Sequence, residues 1–306
     1  MTLAPLLSAD RARYTEPHGH GALLVGAANR FADDAGATRV AWGKAPPSPE
    51  SVVHVHLEPS ASQLGKGRLP EWLLSLPALR SLTAPAAYLG PASESGLLER
   101  LTTLTATYDR EHVAAVDRAM LRWREGAVSS LRALLLVGLV SQSQVPWSDV
   151  GLTAAQVPSL EYLRIELDKS GEALPAFAAA TRLQHLEAHT VGDADVFSCA
   201  PEGLRFVHLN GVGLKAPFDS VRRLQALESL MIVGYRAEAD CATLASLPSL
   251  TELCVMNAKK LRNVDALVEM QGLRSLQVVN CGRPFSKELK ARLQSRGLVH
   301  LNIDYA

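Results

Sequence analysis

The chain has 306 residues, 47% of them hydrophobic, which is ample for a buried core and excludes disorder on the scale of the whole chain. Lysine plus arginine (31) equals aspartate plus glutamate (31), so no net field draws the molecule toward nucleic acid or anionic lipid. No stretch approaches the length of a membrane span.

The amino terminus, Met1-Thr2-Leu3-Ala4-Pro5-Leu6-Leu7, lacks the basic start and sustained apolar run of a secretory signal, and Asp10, Arg11 and Arg13 follow at once. His18-Gly19-His20 comes nearest to a metal motif, but the further ligands a site needs are missing, so no metal and no cofactor is expected. Ala22–Val25 and Thr38–Trp42 read as strands with a helix across Ala27–Ala35 between them, and Pro46-Pro47-Ser48-Pro49 marks a break.

Beyond the break the chain becomes periodic. A first copy of the pattern begins at Val52/Val55/Leu57, and weaker copies follow at Leu79/Leu82/Ala84 and Leu101/Leu104/Ala106. Clear copies of Leu-x-x-Leu-x-(Leu/Ile/Val) are Leu131/Leu134/Leu136, Leu160/Leu163/Ile165, Leu227/Leu230/Ile232, Leu250/Leu253/Val255, Leu273/Leu276/Val278 and Leu298/Leu301/Ile303. Leu183/Leu186/Ala188 and Leu204/Val207/Leu209 complete the series. Arg110–Arg124 places Val113, Val116, Met120 and Trp123 at helical spacing, which predicts a helix in one of the longer repeats. Shorter returns such as Phe218–Leu224 and Leu261–Leu267 predict brief helical or irregular turns.

Side chains alternate along a strand, so the fourth and sixth positions of each copy share one face, and only stacking of neighbouring copies can bury it. The pattern resembles the leucine-rich-repeat family, in its bacterial form with short helices and repeats of about 23 residues. The resemblance implies an α/β solenoid, a leucine-rich-repeat horseshoe with a parallel concave sheet of about ten or eleven short strands and a helical or irregular convex side. It covers residues 51–306, with residues 1–50 as an N-terminal cap segment over the first coil. One departure is clear: the ninth position, where many members carry a laddered asparagine, holds Val212, Tyr235, Ala258 and Cys281.

Catalytic motifs are missing from the sequence. It contains no GxSxG, P-loop, GxGxxG or HExxH, and the repeats leave about fifty residues for a catalytic domain, so an enzyme is not expected. Cys199, Cys241, Cys254 and Cys281 lack CxxC spacing, which favours reduced thiols and a cytoplasmic location.

The third, fifth and seventh positions of each copy point away from the leucines and line the face on which such solenoids bind. On the middle strands these are Tyr162, Arg164 and Glu166, then His185, Glu187 and His189, then Phe206, His208 and Asn210, bordered by Met231 and Met256. Six of the nine histidines fall on this face, where imidazole would change charge near neutral pH. Tyr162 and Phe206 read as exposed anchors, and Glu252 as solvent-facing, replaceable by alanine at little cost beside a core Leu253. Metal ligation by Glu187 and His208 would require a third converging group.

This composition predicts a protein partner rather than nucleic acid, since Arg164 stands alone among these positions, and rather than a membrane. The resulting expectation is a cytoplasmic adaptor or regulator, bacterial by its alanine, arginine and leucine bias. The alternatives are a toxin-neutralising immunity-type or inhibitor protein and, third, a peptide or small-molecule sensor. Leu298–Tyr305 reads as a last strand with an open edge, which predicts weak self-association there.

Overall fold

The computed structural model describes residues 5–15, 22–26, 38–123, 126–168, 171–213, 215–282 and 284–304. The expected helix at Ala27–Ala35 and the His18-Gly19-His20 motif lie outside these residues. Two compact units are present: Tyr14–Arg164 form one, and Ile165 onward, together with the N-terminal residues up to Arg13, forms the other.

The Tyr14–Arg164 unit contains α1 from Tyr14 onward, the helix as a whole being Pro5–Thr15. Its strands are β1 (Ala22–Gly26), β2 (Thr38–Val40), β3 (His54–Glu58), β4 (Ser81–Pro85), β5 (Thr103–Thr107) and β6 (Ala133–Val137). All pair in parallel in the order β2-β1-β3-β4-β5-β6. Both strands expected upstream of the proline break therefore form, and β1 runs along the whole of β3. The register sets Val55, Leu82, Leu104 and Leu134 side by side, which are the fourth positions of successive repeats. All four are buried.

β7 (Tyr162–Glu166) contains the division between the units. Past it come β8 (His185–His189), β9 (Phe206–Asn210) and β10 (Ser229–Val233). A two-residue strand, β11 (Ala239–Asp240), lies between β10 and β12 (Glu252–Met256) and pairs with β13 (Leu261–Arg262). The last strands are β14 (Ser275–Val279) and β15 (His300–Asp304), and the parallel order is β8-β9-β10-β12-β14-β15. Leu186, Val207, Leu230, Leu253, Leu276 and Leu301 align across it. Each five-residue strand from β3 onward thus spans the third to seventh positions of its repeat, and the architecture is that of a leucine-rich-repeat solenoid.

After β6, β8, β9, β10, β12 and β14 the chain turns at the eighth position. Gly138, Gly211 and Gly234 take a left-handed φ there, at 81°, 75° and 74°, and Thr190, Asn257 and Asn280 do the same at 57°, 56° and 52°. Glycine and asparagine tolerate this region best, so their recurrence after the strands has a steric cause. Asn280 donates its amide to Asn257 Oδ1 at 2.7 Å, a short asparagine pair one position earlier than the family pattern. The ninth positions Val212, Tyr235, Ala258 and Cys281 are buried instead, and Tyr235 donates its hydroxyl to the carbonyl of Ala216 at 2.9 Å.

The returning segments are short, for example the helices Ala173–Phe177, Val196–Cys199 and Cys241–Leu244 and the 3-10 turn Asp219–Arg223. The longer helix predicted for Arg110–Arg124 is replaced by two pieces, Arg110–Ala114 and a 3-10 turn at Arg118–Leu121. Asp117 is the cause: with extended backbone it accepts a hydrogen bond from the amide of Ala119 and starts a new turn where the periodicity alone would continue the first.

Candidate binding face

The eleven residues of α1 begin with proline, whose missing N–H costs nothing at a helix start and whose φ is preset for it. Leu7, Asp10, Arg11 and Tyr14 stand three and four residues apart and so share one face of the helix. This face meets the strand positions expected to bind a partner.

In the unit beginning at Ile165, Leu7 is fully buried in a cluster with Phe206, Met231, Val233, Cys254 and Met256. The amides of Leu6 and Leu7 donate to Glu252 Oε1 and Oε2 at 3.1 and 3.2 Å. A helix start leaves its first N–H groups without intrahelical acceptors and carries partial positive charge, and a carboxylate from the strand floor answers both. Ser229 donates its hydroxyl to the same carboxylate at 2.5 Å. Glu252 is 1% exposed, so the sequence reading of it as solvent-facing is corrected.

The next turn of α1 is held by charge. His185 Nδ1 donates to Asp10 Oδ2 at 2.8 Å, and Arg11 Nε lies 3.3 Å from Glu187 Oε1. Glu187 is buried among three imidazoles: His185 Nε2 at 3.5 Å, His189 Nε2 at 3.8 Å and His208 Nδ1 at 3.8 Å. Burial alone would raise its pKa, but the three histidines and the Arg11 charge outweigh that and hold the carboxyl far below its ordinary value. Asp10 follows the same logic, with burial opposed by His185 and Arg13 and the balance lowering its pKa.

In the unit Tyr14–Arg164, Tyr14 stacks on Tyr162 with ring centroids 5.2 Å apart and planes inclined by 21°. Its hydroxyl donates to Glu161 Oε2 at 3.2 Å. Tyr162 is fully buried with Ala133 and Leu135. The same unit holds a cavity of about 500 Å³ whose lining includes His56, Glu58, Asp109 and His112. The sequence reading did not find it, because its walls join the ends of β3, β5 and β6 to return segments of different repeats.

The predicted site residues therefore fall into two groups. Tyr162, His185, Glu187, Phe206, His208, Met231 and Met256 are buried, not exposed, because α1 contributes to each unit a side chain that packs on this set. Arg164, Glu166, His189 and Asn210 are half-buried. Cys254, at the fifth position of its repeat and so on the same strand face, is covered too, and burial pushes its thiol up to about 12. Of the other strand histidines, His54 Nδ1 is 2.8 Å from Ser81 Oγ, and Gln277 Nε2 donates to His300 Nε2 at 3.0 Å. Among the described residues no helix is long and apolar enough to cross a membrane.

No protein-family model matches the chain, and no curated protein matches it in sequence. Several solved structures resemble it. An internalin (inlF) from Listeria monocytogenes is 15% identical over 89% of this chain and 66% of that one, with a TM-score of 0.48. A leucine-rich-repeat protein from Leptospira interrogans is 15% identical over 81% of this chain and 66% of that one, with a TM-score of 0.45. For internalin C2 from Listeria monocytogenes the identity is 16%, the coverage 68% of this chain and 74% of that one, and the TM-score 0.39. This chain spans just under two thirds of the length of the first two.

Proposed function

We propose that this chain is a non-catalytic protein-interaction module, an adaptor or regulator, that accepts an amphipathic helix of a partner on the strand face where α1 lies. The observation that carries this reading is the way the face holds α1. It supplies an apolar seat for Leu7, a carboxylate for the helix start, and side-chain partners for Asp10 and Arg11 one turn on. A groove with an apolar centre and fixed polar anchors is the arrangement that recognises a helix by side chains three and four residues apart. In this reading α1 is an internal occupant, and a partner must compete with it. Met231, Met256 and Phe206 supply the adaptable apolar seat, while Glu187 and His185 set the register. A reducing, cytoplasmic setting agrees with the four unpaired thiols.

The test uses the full chain with Leu7→Asp, which places a charge in the apolar seat and releases α1. A synthetic peptide of the sequence Met1–Thr15 should then bind the variant in calorimetry and leave the unsubstituted chain, whose seat is filled, untitrated. Absence of binding to the variant, with its fold intact by circular dichroism, would refute the helix-accepting face.

A further inference from the structure

β8 and β9 bring three potential metal ligands to one point. Glu187 and His189 are two residues apart on β8 and so project from the same side, and the parallel register sets His208 of β9 directly beside Glu187. One ligand atom from each of Glu187, His189 and His208 lies within 4.8 Å of the other two, and Glu187 Oε2 is 3.8 Å from both His189 Nε2 and His208 Nδ1. Ligands about 2.0–2.1 Å from a tetrahedral ion are separated by roughly 3.3 Å, so small side-chain rotations would close the triangle.

The polar bookkeeping around these atoms points the same way. His189 Nε2 and His208 Nδ1 are buried and make no hydrogen bond, although interior nitrogens are normally satisfied. The His208 side chain is only 9% exposed. Meanwhile Glu187 Oε1 faces Arg11 and His185, which turns Oε2 toward the two imidazoles. His185 is held in turn by Asp10 at 2.8 Å. A ligand carboxylate oriented by a second layer of hydrogen-bonding groups is how metal centres are usually built.

We propose that Glu187, His189 and His208 form a three-ligand site for a divalent transition-metal ion, zinc being the ion their donor set suits best. Two imidazoles and one carboxylate are borderline ligands that match zinc, whereas calcium and magnesium favour all-oxygen shells and copper(I) favours sulfur. Three protein ligands leave a fourth tetrahedral position for water or an incoming side chain.

The full chain, stripped with a chelator and dialysed, is titrated with zinc chloride against a chromophoric competitor. One zinc per chain is expected. His189→Ala and His208→Ala should each weaken it by at least ~100-fold, the upper end of what loss of an outer-layer partner costs. A His18→Ala, His20→Ala double variant should bind as the unsubstituted chain does. Cobalt(II) in place of zinc should show intense visible bands of a four-coordinate ion that vanish in His189→Ala. His189 is only half-buried, so His189→Gln serves as the folded control if His208→Ala fails to fold. Failure to take up stoichiometric zinc would overturn the proposal. So would uptake that survives both strand-histidine changes, or that disappears only with His18 and His20.

Discussion

Replacing Leu7 by alanine isolates the contribution of α1 packing. Its side chain is 0% exposed and seated on Phe206, Met231, Val233, Cys254 and Met256, so truncation removes a whole buried side chain and leaves a cavity. Such changes cost about 2 to 5 kcal/mol, depending on how far the walls collapse. The flexible methionines in this seat argue for the lower half of that range. An isolated helix of eleven residues is marginal in water, so α1 once released loses its hydrogen bonds, and its amide protection reports docking directly. At 1.4 kcal/mol per factor of ten, a loss of about 2 kcal/mol raises exchange of the Leu7–Arg13 amides roughly 30-fold. The assay is hydrogen exchange read by mass spectrometry, comparing that segment with peptides covering β12 and β14. Exchange should rise in the helix and remain unchanged in peptides of β14, whose Leu276 belongs to the repeat core. Unchanged protection of the helix would refute the docking, and equal loss across helix and strands would show that α1 is integral to global folding.

Leu253→Ala should lower global stability by about 2 to 5 kcal/mol in chemical denaturation, as a core truncation does. Glu252→Ala should also destabilise, by about 1 to 3 kcal/mol, since it leaves the Leu6 and Leu7 amides and the Ser229 hydroxyl without their buried acceptor; a neutral result would argue against those hydrogen bonds. Acid should release α1. Asp10 and Glu187 have depressed pKa values, so the stability they carry is present above their ordinary values of 3.8 and 4.5 and is lost as pH falls through their lower folded values. Helix exchange followed against pH should therefore steepen below about 4.5, and Glu187→Gln should flatten that dependence. Thiol labelling of the native chain should reach Cys199, which is partly exposed, well before Cys241 and Cys254, whose thiols are buried and raised to about 12; rapid labelling of Cys254 would mean that its cover is absent.

Strand position was legible in the sequence because it follows from two local regularities. Alternation along a strand puts the fourth and sixth residues on one face, and the repeat spacing brings those residues into register, as Leu230, Leu253 and Leu276 demonstrate. The left-handed turn was legible as well, in Gly211, Gly234, Asn257 and Asn280, had the eighth position been read with the ninth. The helix α1 carried its own signals, a proline start and a shared face at Leu7, Asp10, Arg11 and Tyr14.

Where that helix goes was decided only by the tertiary structure. Leu7 meets Glu252 across 245 residues of chain, and no period or local propensity links the two. One hint existed: β10 and β12 carry Met231, Val233, Cys254 and Met256 opposite their leucines, and a strand apolar on both faces must be covered on both. The hint says that something covers the face but not what, because burial is non-directional and any apolar segment satisfies it. The histidine cluster has the same character. Glu187 and His189 share a side by alternation alone, but the convergence of Glu187 Oε2, His189 Nε2 and His208 Nδ1 depends on side-chain rotation and strand register, which exist only once the coils are stacked.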